Sequence, residues 1–450
     1  MKLWDKGRKT DLKIMDFTVG DDRELDAELA GSDVIASIAH VKMLESAGLL
    51  NHDETNSLVR ELAEIFKKIA AGNFTIEEGD EDIHSCVERI LTEKLGETGK
   101  KVHSARSRND QVMVDLKLFY RKQTAGIIEH VKDLVNTLIQ KGEENKNISM
   151  PGYTHFQVAM PSSFGLWFGA YAECLIEDIM IHEGILHFIN LNPLGSAAGY
   201  GSSFPIDRDL TTRLLEFGDL HVNSINAQLS RGRTEKYLAF GLAGIASSLS
   251  KMAMDLTLFM SQNFGFIRLK EQLTTGSSIM PHKKNPDVIE IIRAKCNRIS
   301  AVPNEVLLLA QNLPSGYHRD YQLLKQIIFP VYHELNSCLD MMISVVNNME
   351  VNDKITEDEK YLYMFSVENV NEKVKEGIPF RDAYMQVARE IEDGSFRRNE
   401  NVNYTHTGSI GNPGFDRIIN KMEGILNNME IDKFSTFEER FMNDIMAGQK

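Results

Sequence analysis

Three stretches of this chain are apolar around more of a helix's circumference than one partner could cover. The first follows Pro161 and reads SSFGLWFGAYAECLIEDIMIHEGILHFINL; the second is centred on 239–260; the third runs from 286 to about 309. Helices of that length and coverage need neighbours on several sides. A bundle of long helices supplies them, and a bundle shared between subunits supplies more. Over 111–141, Val112, Leu116, Phe119, Ile127, Val131, Leu134 and Leu138 step by three, four or eight, which is one face of a further long helix. Alternating strand-like runs with hairpin turns are nearly absent. These patterns predict an all-α fold in three domains: an N-terminal helical domain over 1–104, a central long-helix bundle over 105–356, and a small, more charged helical domain over 357–450.

Composition narrows the function classes. The 450 residues carry 65 acidic and 50 basic side chains, a formal charge of −15. That balance argues against non-specific nucleic-acid binding, which needs clustered cations. The most membrane-like run, FGLAGIASSLSKMAMDLTLFM from Phe240, is interrupted by Lys251, Asp255 and serines, so a helix buried in a bundle is expected and no membrane span. The start, MKLWDKGRKTDLK, lacks the apolar core of a signal peptide. Cys86, Cys174, Cys296 and Cys338 show no paired metal spacing, and reduced thiols in a cytoplasmic protein are the simplest reading.

Small-residue stretches punctuate the helices at 192–205, 274–286, 312–317 and 405–414. Loops that carry function tend to sit on rigid scaffolds of this kind. The stretch TTGSSIMPHKKNP (274–286) is the most peculiar of them. Gly276-Ser277-Ser278 lets backbone approach a ligand and offers hydroxyls and amides to it. Asn285-Pro286-Asp287 reads as a helix start, with Asn as N-cap and Pro at the first helical position. Lys283, the loop amides and the helix dipole together make a seat for a carboxylate or phosphate. A flexible basic surface loop is the bland alternative, but the fixed prolines and the helix that follows at once speak against it. The missing second glycine and the proline before the lysines exclude a Walker A loop.

Gly276, Ser277, Ser278, Met280, Pro281, Lys283, Asn285 and Pro286 resemble, without a gap, the signature of the fumarase, aspartase, adenylosuccinate lyase and argininosuccinate lyase superfamily. HSARSRNDQV (103–112), MPGYTHFQVAMP (150–161), GYHRDYQLLK (316–325) and the KLW near the start are similar to blocks of the argininosuccinate lyases. His282 departs from their usual Gln, His318 from an Asn, and Leu323-Leu324 from an acidic pair before the lysine.

The resemblance implies elimination across a C–N bond with release of fumarate, without metal or organic cofactor, by a cytoplasmic homotetramer whose active sites collect residues from different subunits. The proton removed lies beside a carboxylate, so the reaction needs a base, donors facing the growing charge, and an acid for the leaving nitrogen. By resemblance Ser277 is that base, with Ser278 its rival, and Lys283 supports the alkoxide. His155 is the second acid–base residue, oriented by Glu290. Ser107, Arg108, Asn109, Thr154 and Asn285 match positions that hold substrate carboxylates, and Tyr317, Gln322 and Lys325 match the amino-acid end. Ser32 and His84 fall in blocks the family also uses; His84, beside Ile83, Val87 and Leu91, suits a core position equally well. Several of these also have a plain structural reading: a polar N-terminal helix turn for 107–111, an ion pair for Arg108, a solvated helix acid for Glu290. The expected substrate is argininosuccinate, split into arginine and fumarate; another fumarate-releasing lyase, such as adenylosuccinate lyase, and an inactive structural homologue are the alternatives.

Overall fold

The computed structural model describes residues 12–77, 79–399 and 404–448. The KLW string and most of the start read for a signal peptide lie outside them. Helices α1 (Asp22–Ser46), α2 (His52–Ala70) and α3 (Ile83–Leu95) form the N-terminal layer. Local chemistry sets their ends. Asn51 and Glu54 close a capping box on α2, and the Asp82 side chain accepts from Ser85 N–H at the start of α3.

Six helices build the centre: the long α4 (Arg108–Glu144), α5 (Phe164–Ile189), α6 (Arg233–Met260) and α9 (Leu323–Asn348), and the shorter pair α7 (Asp287–Ile299) and α8 (Val302–Ala310). Helix α4 packs on α1, α5 and α9, and α6 packs on α5, α7 and α9. The all-α expectation holds. Among the described residues no helix is long and apolar enough to cross a membrane, and the run at 239–260 is instead the body of α6, with one face buried and Phe240 and Met254 exposed on the other. The apolar run from 286 to about 309 is not one helix. Pro303 sits in the first turn of α8, where its missing N–H costs nothing; inside a continuous helix it would have broken the ladder.

Between α4 and α5 the chain forms an antiparallel hairpin, β1 (Ser149–Thr154) with β2 (Gln157–Ser163). The near-absence of hairpins expected from sequence misses this one, because its two-residue turn is His155-Phe156 rather than a glycine or asparagine pair.

Three apolar clusters follow. The largest joins α4, α5, α6, α7 and α9, and also takes in Phe415, Ile418, Met422 and Phe434. The second unites α1, α2 and α3 with Val114 and Leu118 of α4, and with Phe437, Met442 and Ile445 near the C-terminus. The third is small: Val370, Ala383, Val387 and Phe396. Aromatic packing fastens α4 to α9. The Phe119 and Phe329 rings lie 4.4 Å apart, and Tyr332 meets Phe119 edge-on at 6.2 Å. Because Phe329 is fully buried, Phe329→Ala should cost roughly 3–5 kcal/mol. Thermal unfolding checks this: a Tm within about one degree of wild type would mean that α4 and α9 are held together by other contacts.

Candidate active site

The stretch 274–286 is a loop closed at its neck. Thr275 and Asn285 form an antiparallel bridge, with Asn285 N–H donating to Thr275 O at 2.9 Å and Thr275 N–H to Asn285 O at 3.3 Å. The Thr275 hydroxyl also donates to Asp287. Asn285 therefore does not act as the expected N-cap. Helix α7 begins one residue later than anticipated, at Asp287, with Pro286 before it and no side-chain cap. Pairing Asn285 back to Thr275 takes its backbone out of cap geometry. Inside the loop, Ser277 Oγ accepts from Met280 N–H at 3.2 Å and Ile279 N–H at 3.4 Å. Lys283 N–H donates to Met280 O at 3.1 Å, and the Lys283 side chain is exposed. Glu290 is exposed on the first turn of α7.

Thr154 and His155 stand at the tip of the β1–β2 hairpin. His155 and Phe156 have φ of 54° and 57°, the left-handed region, as a type I′ turn requires. Neither is glycine, so the turn carries strain of about 1–3 kcal/mol per residue, of the sort concentrated at functional sites. His155 lines a cavity of about 410 Å³ with Tyr153, Trp167, Asp255, Phe259 and Phe264. Within this chain no hydrogen bond links His155 to Glu290.

Six of the expected residues meet in another cavity, of about 130 Å³: His84, Arg108, Asn109, Tyr317, Gln322 and Lys325. Sequence reasoning missed the acids in the same wall, Asp22, Asp26, Glu81 and Asp82, along with Arg231 and Arg319. Arg108 bonds Ser85 Oγ at 2.7 Å and reaches Glu81 and Asp82 at 3.2 Å each. Ser107 caps α4 in a box with Asp110, its Oγ accepting from Asn109 N–H at 3.3 Å. The other Asp110 oxygen accepts from Gly195 and Ala197 N–H, each at 2.9 Å, and so ties the loop at 192–205 to this helix start. Ser32 is buried on α1 but is not in the cavity wall; Ser37, one turn beyond Asp33, accepts from Arg106 Nη1 at 3.1 Å. Neither Ser277 nor His155 belongs to this wall, so one chain presents the expected residues in three groups.

Behind the cavity, His84 Nδ1 donates to Asp33 at 2.8 Å, with Asp115 3.6 Å away. The three side chains, from three helices, lie close enough to ligate a cation, a cluster that sequence spacing did not disclose. Burial works against a charged His84, but Asp33, Asp115 and Asp82 more than offset it and raise its pKa to about 9. Burial first, and the like charge of Asp33 second, push the Asp115 carboxyl well above the usual carboxylate range. The ion pair is therefore Asp33 with His84.

His84 has its folded pKa above the unfolded value of about 6.5. Its stabilisation is complete below that pH and is lost as pH rises through about 9. His84→Gln should thus lower Tm most near pH ~6, with the gap closing by pH ~9.5. A gap constant across that range would remove the charged imidazole from the account.

Comparison with known proteins gives the family. The family model described as "Lyase" matches residues 9–301. The argininosuccinate lyase of Phocaeicola vulgatus is 51% identical over 438 residues, covering 97% of this chain and 98% of that protein. That of Bacteroides thetaiotaomicron is 52% identical over 94% of this chain and 95% of its own. That of Thermotoga neapolitana is 40% identical over 86% of this chain and 97% of its own. Among solved structures, an EDDS lyase with bound formate superposes with a TM-score of 0.76 at 21% identity, covering 98% of this chain and 97% of that one. A class II fumarase from Schistosoma mansoni gives 0.69 at 17% identity, over 92% and 95% of the two chains. These two share the fold. Near-full-length identity above one half, added to the signature loop, places the chain in the lyase family and, within it, among the argininosuccinate lyases.

Proposed function

We propose that the protein cleaves argininosuccinate into arginine and fumarate, with Ser277 as the base. The carrying observation is the pair of loop amides, Ile279 and Met280, that point their N–H groups at Ser277 Oγ. A serine hydroxyl is a poor base in water. Two fixed N–H donors, and an ammonium on the same loop brought in by closure, would lower the cost of the alkoxide once water is excluded. Ser278 has no such bonds among those found in the loop, which favours Ser277 between the two.

In this reading Ser277 takes the proton from the succinyl carbon next to a carboxylate, and the electron pair passes into that carboxylate as a second negative charge. Lys283, Asn285, Ser107, Arg108, Asn109 and Thr154 stabilise it. As the charge returns, the C–N bond breaks, fumarate forms, and the guanidino nitrogen leaves with a proton from the imidazolium of His155, which Glu290 orients. Tyr317, Gln322 and Lys325 hold the amino-acid end. Ser32 is left with a packing role on α1.

A homotetramer with sites shared between subunits reconciles this chemistry with three separate groups of residues in one chain. The long helices support it. Ile181 on α5, Phe240 on α6, Ile291 on α7 and Leu308 on α8 are each at least half exposed, more apolar surface than a solitary bundle should leave in water. The division at 1–104, 105–356 and 357–450 stands as our reading of the domains. The four free cysteines support a cytoplasmic location.

Ser277→Ala and His155→Asn should each lower kcat by roughly 10³-fold or more while leaving the oligomer intact by size-exclusion chromatography. Both products must be identified, since other lyases of this superfamily also release fumarate. Mixing the two variants after reversible dissociation should restore up to roughly a quarter of wild-type activity, if serine and histidine come from different chains. Mixed oligomers without activity would place both residues of each site on one subunit.

A further inference from the structure

The cation expected to hold the amino-acid end, Lys325, does not enter the cavity alone. Its ammonium is buried between two carboxylates from α1, 2.7 Å from Asp22 Oδ1 and 2.5 Å from Asp26 Oδ1. The Gln322 amide donates to the other oxygen of Asp22. Asp26 is further satisfied by Ile83 N–H, at 3.3 Å. The acidic pair that relatives carry next to this lysine is here Leu323 and Leu324, of which Leu324 is fully buried in the core.

The remaining charges of the cavity are matched. Arg108 is held by Glu81 and Asp82, Arg319 by Glu81, and Arg231 by Glu235 at 3.3 Å. Asp22 and Asp26 together carry one negative charge more than Lys325 neutralises. Burial raises the pKa of Asp22 even though Lys325 pulls it down. An α-amino acid brings an ammonium and a carboxylate on the same carbon. The carboxylate matches Lys325 and Gln322, and the ammonium matches the carboxylate these two now occupy.

We propose that Asp22 is a specificity residue that receives the α-ammonium of the arginine moiety, and that Asp26 is a positioning residue that keeps Lys325 in place for the α-carboxylate. The inference rests on the argininosuccinate lyase reading and extends it to a part of the site that the sequence blocks do not cover. A merely structural salt bridge between α1 and α9 would also hold Lys325, so the test must read the ligand's amino group.

The reverse reaction provides it: fumarate at saturation, with arginine compared against 5-guanidinopentanoate, which has the same chain without the α-amino group. Wild type should prefer arginine by roughly 100-fold in kcat/KM, and Asp22→Asn should cut that preference by about 10-fold or more. The KM for fumarate should stay within about 2-fold. Asp26→Asn should weaken both guanidino compounds alike. An unchanged preference in Asp22→Asn, or an equal rise in the fumarate KM, overturns the assignment. Should Asp22→Asn fold poorly, wild type alone decides: a preference for arginine below about 3-fold overturns it too. A wild-type enzyme that makes arginine from argininosuccinate yet ignores the amino group refutes this inference only. One that makes no arginine at all takes the functional reading down with it.

Discussion

The structure depends on burying one helix along two cores at once. Helix α4 is 37 residues long, about 55 Å at the standard rise. Val114 and Leu118 belong to the N-terminal cluster, while Leu116, Phe119, Tyr120 and the residues through Ile139 belong to the central one. Each fully buried aliphatic or aromatic side chain contributes about 1.5–3 kcal/mol relative to exposure. Arg121 marks the junction. It is almost completely buried, donates to the carbonyls of Leu215 and Glu216, and lies against the rings of Phe217, Phe434 and Phe437 at 4.5–5.2 Å. Burial lowers its pKa to about 10, so it stays charged at neutral pH. One guanidinium thus joins the C-terminal segment to both cores. The rigidity matters at the other end, where the first turn of α4 supplies Arg108 and Asn109 to the cavity.

Around that turn, buried charge is always given partners, either opposite charges or backbone N–H groups. Asp110 closes the cap and anchors the 192–205 loop, Asp33 holds His84, and Asp22 with Asp26 holds Lys325. An isolated buried ion would lose its charge by a pKa shift, so a partner charge or a set of hydrogen bonds is the condition for keeping charge where water is scarce. The arrangement costs stability against an apolar core of the same volume. It provides a low-dielectric wall of fixed donors and acceptors, the setting in which transition-state charge is stabilised most strongly.

How much of this was legible in the sequence depends on whether the signal was local. The helix read over 111–141 is Arg108–Glu144 in the structure; the polar turn read at 107–111 is its capped start, where Ser107 and Asp110 close a box. The break before α8 was also written locally, in Pro303. The hairpin at 149–163 was not, because a His-Phe turn lacks the usual type I′ residues and only tertiary support keeps it there. Nor was the Asp33, His84 and Asp115 cluster, whose members are far apart in sequence and meet only when α1, α3 and α4 pack. Asp22 and Asp26, four apart on an N-terminal helix, read as solvated acids favoured by the helix dipole. Their partner lies some 300 residues away, and nothing in either segment alone names it.

The contrast between the cavity and the catalytic loops carries the last step. Of the residues assigned to the amino-acid end, Lys325 is pre-set by ion pairs within one chain. The residues assigned to proton transfer sit on exposed features: a neck-closed loop in which Ile279 is 83% exposed, and a strained hairpin whose Phe156 is 77% exposed. Large apolar side chains at the tips of both features gain by burial, roughly 1.5–3 kcal/mol each, as soon as another surface covers them. That gain is of the size of the strain in the turn. In the proposed oligomer, docking against a neighbouring subunit would offset the cost of holding His155 at a left-handed φ, and would couple assembly of the proposed acid–base pair to the exclusion of water on which an alkoxide at Ser277 relies.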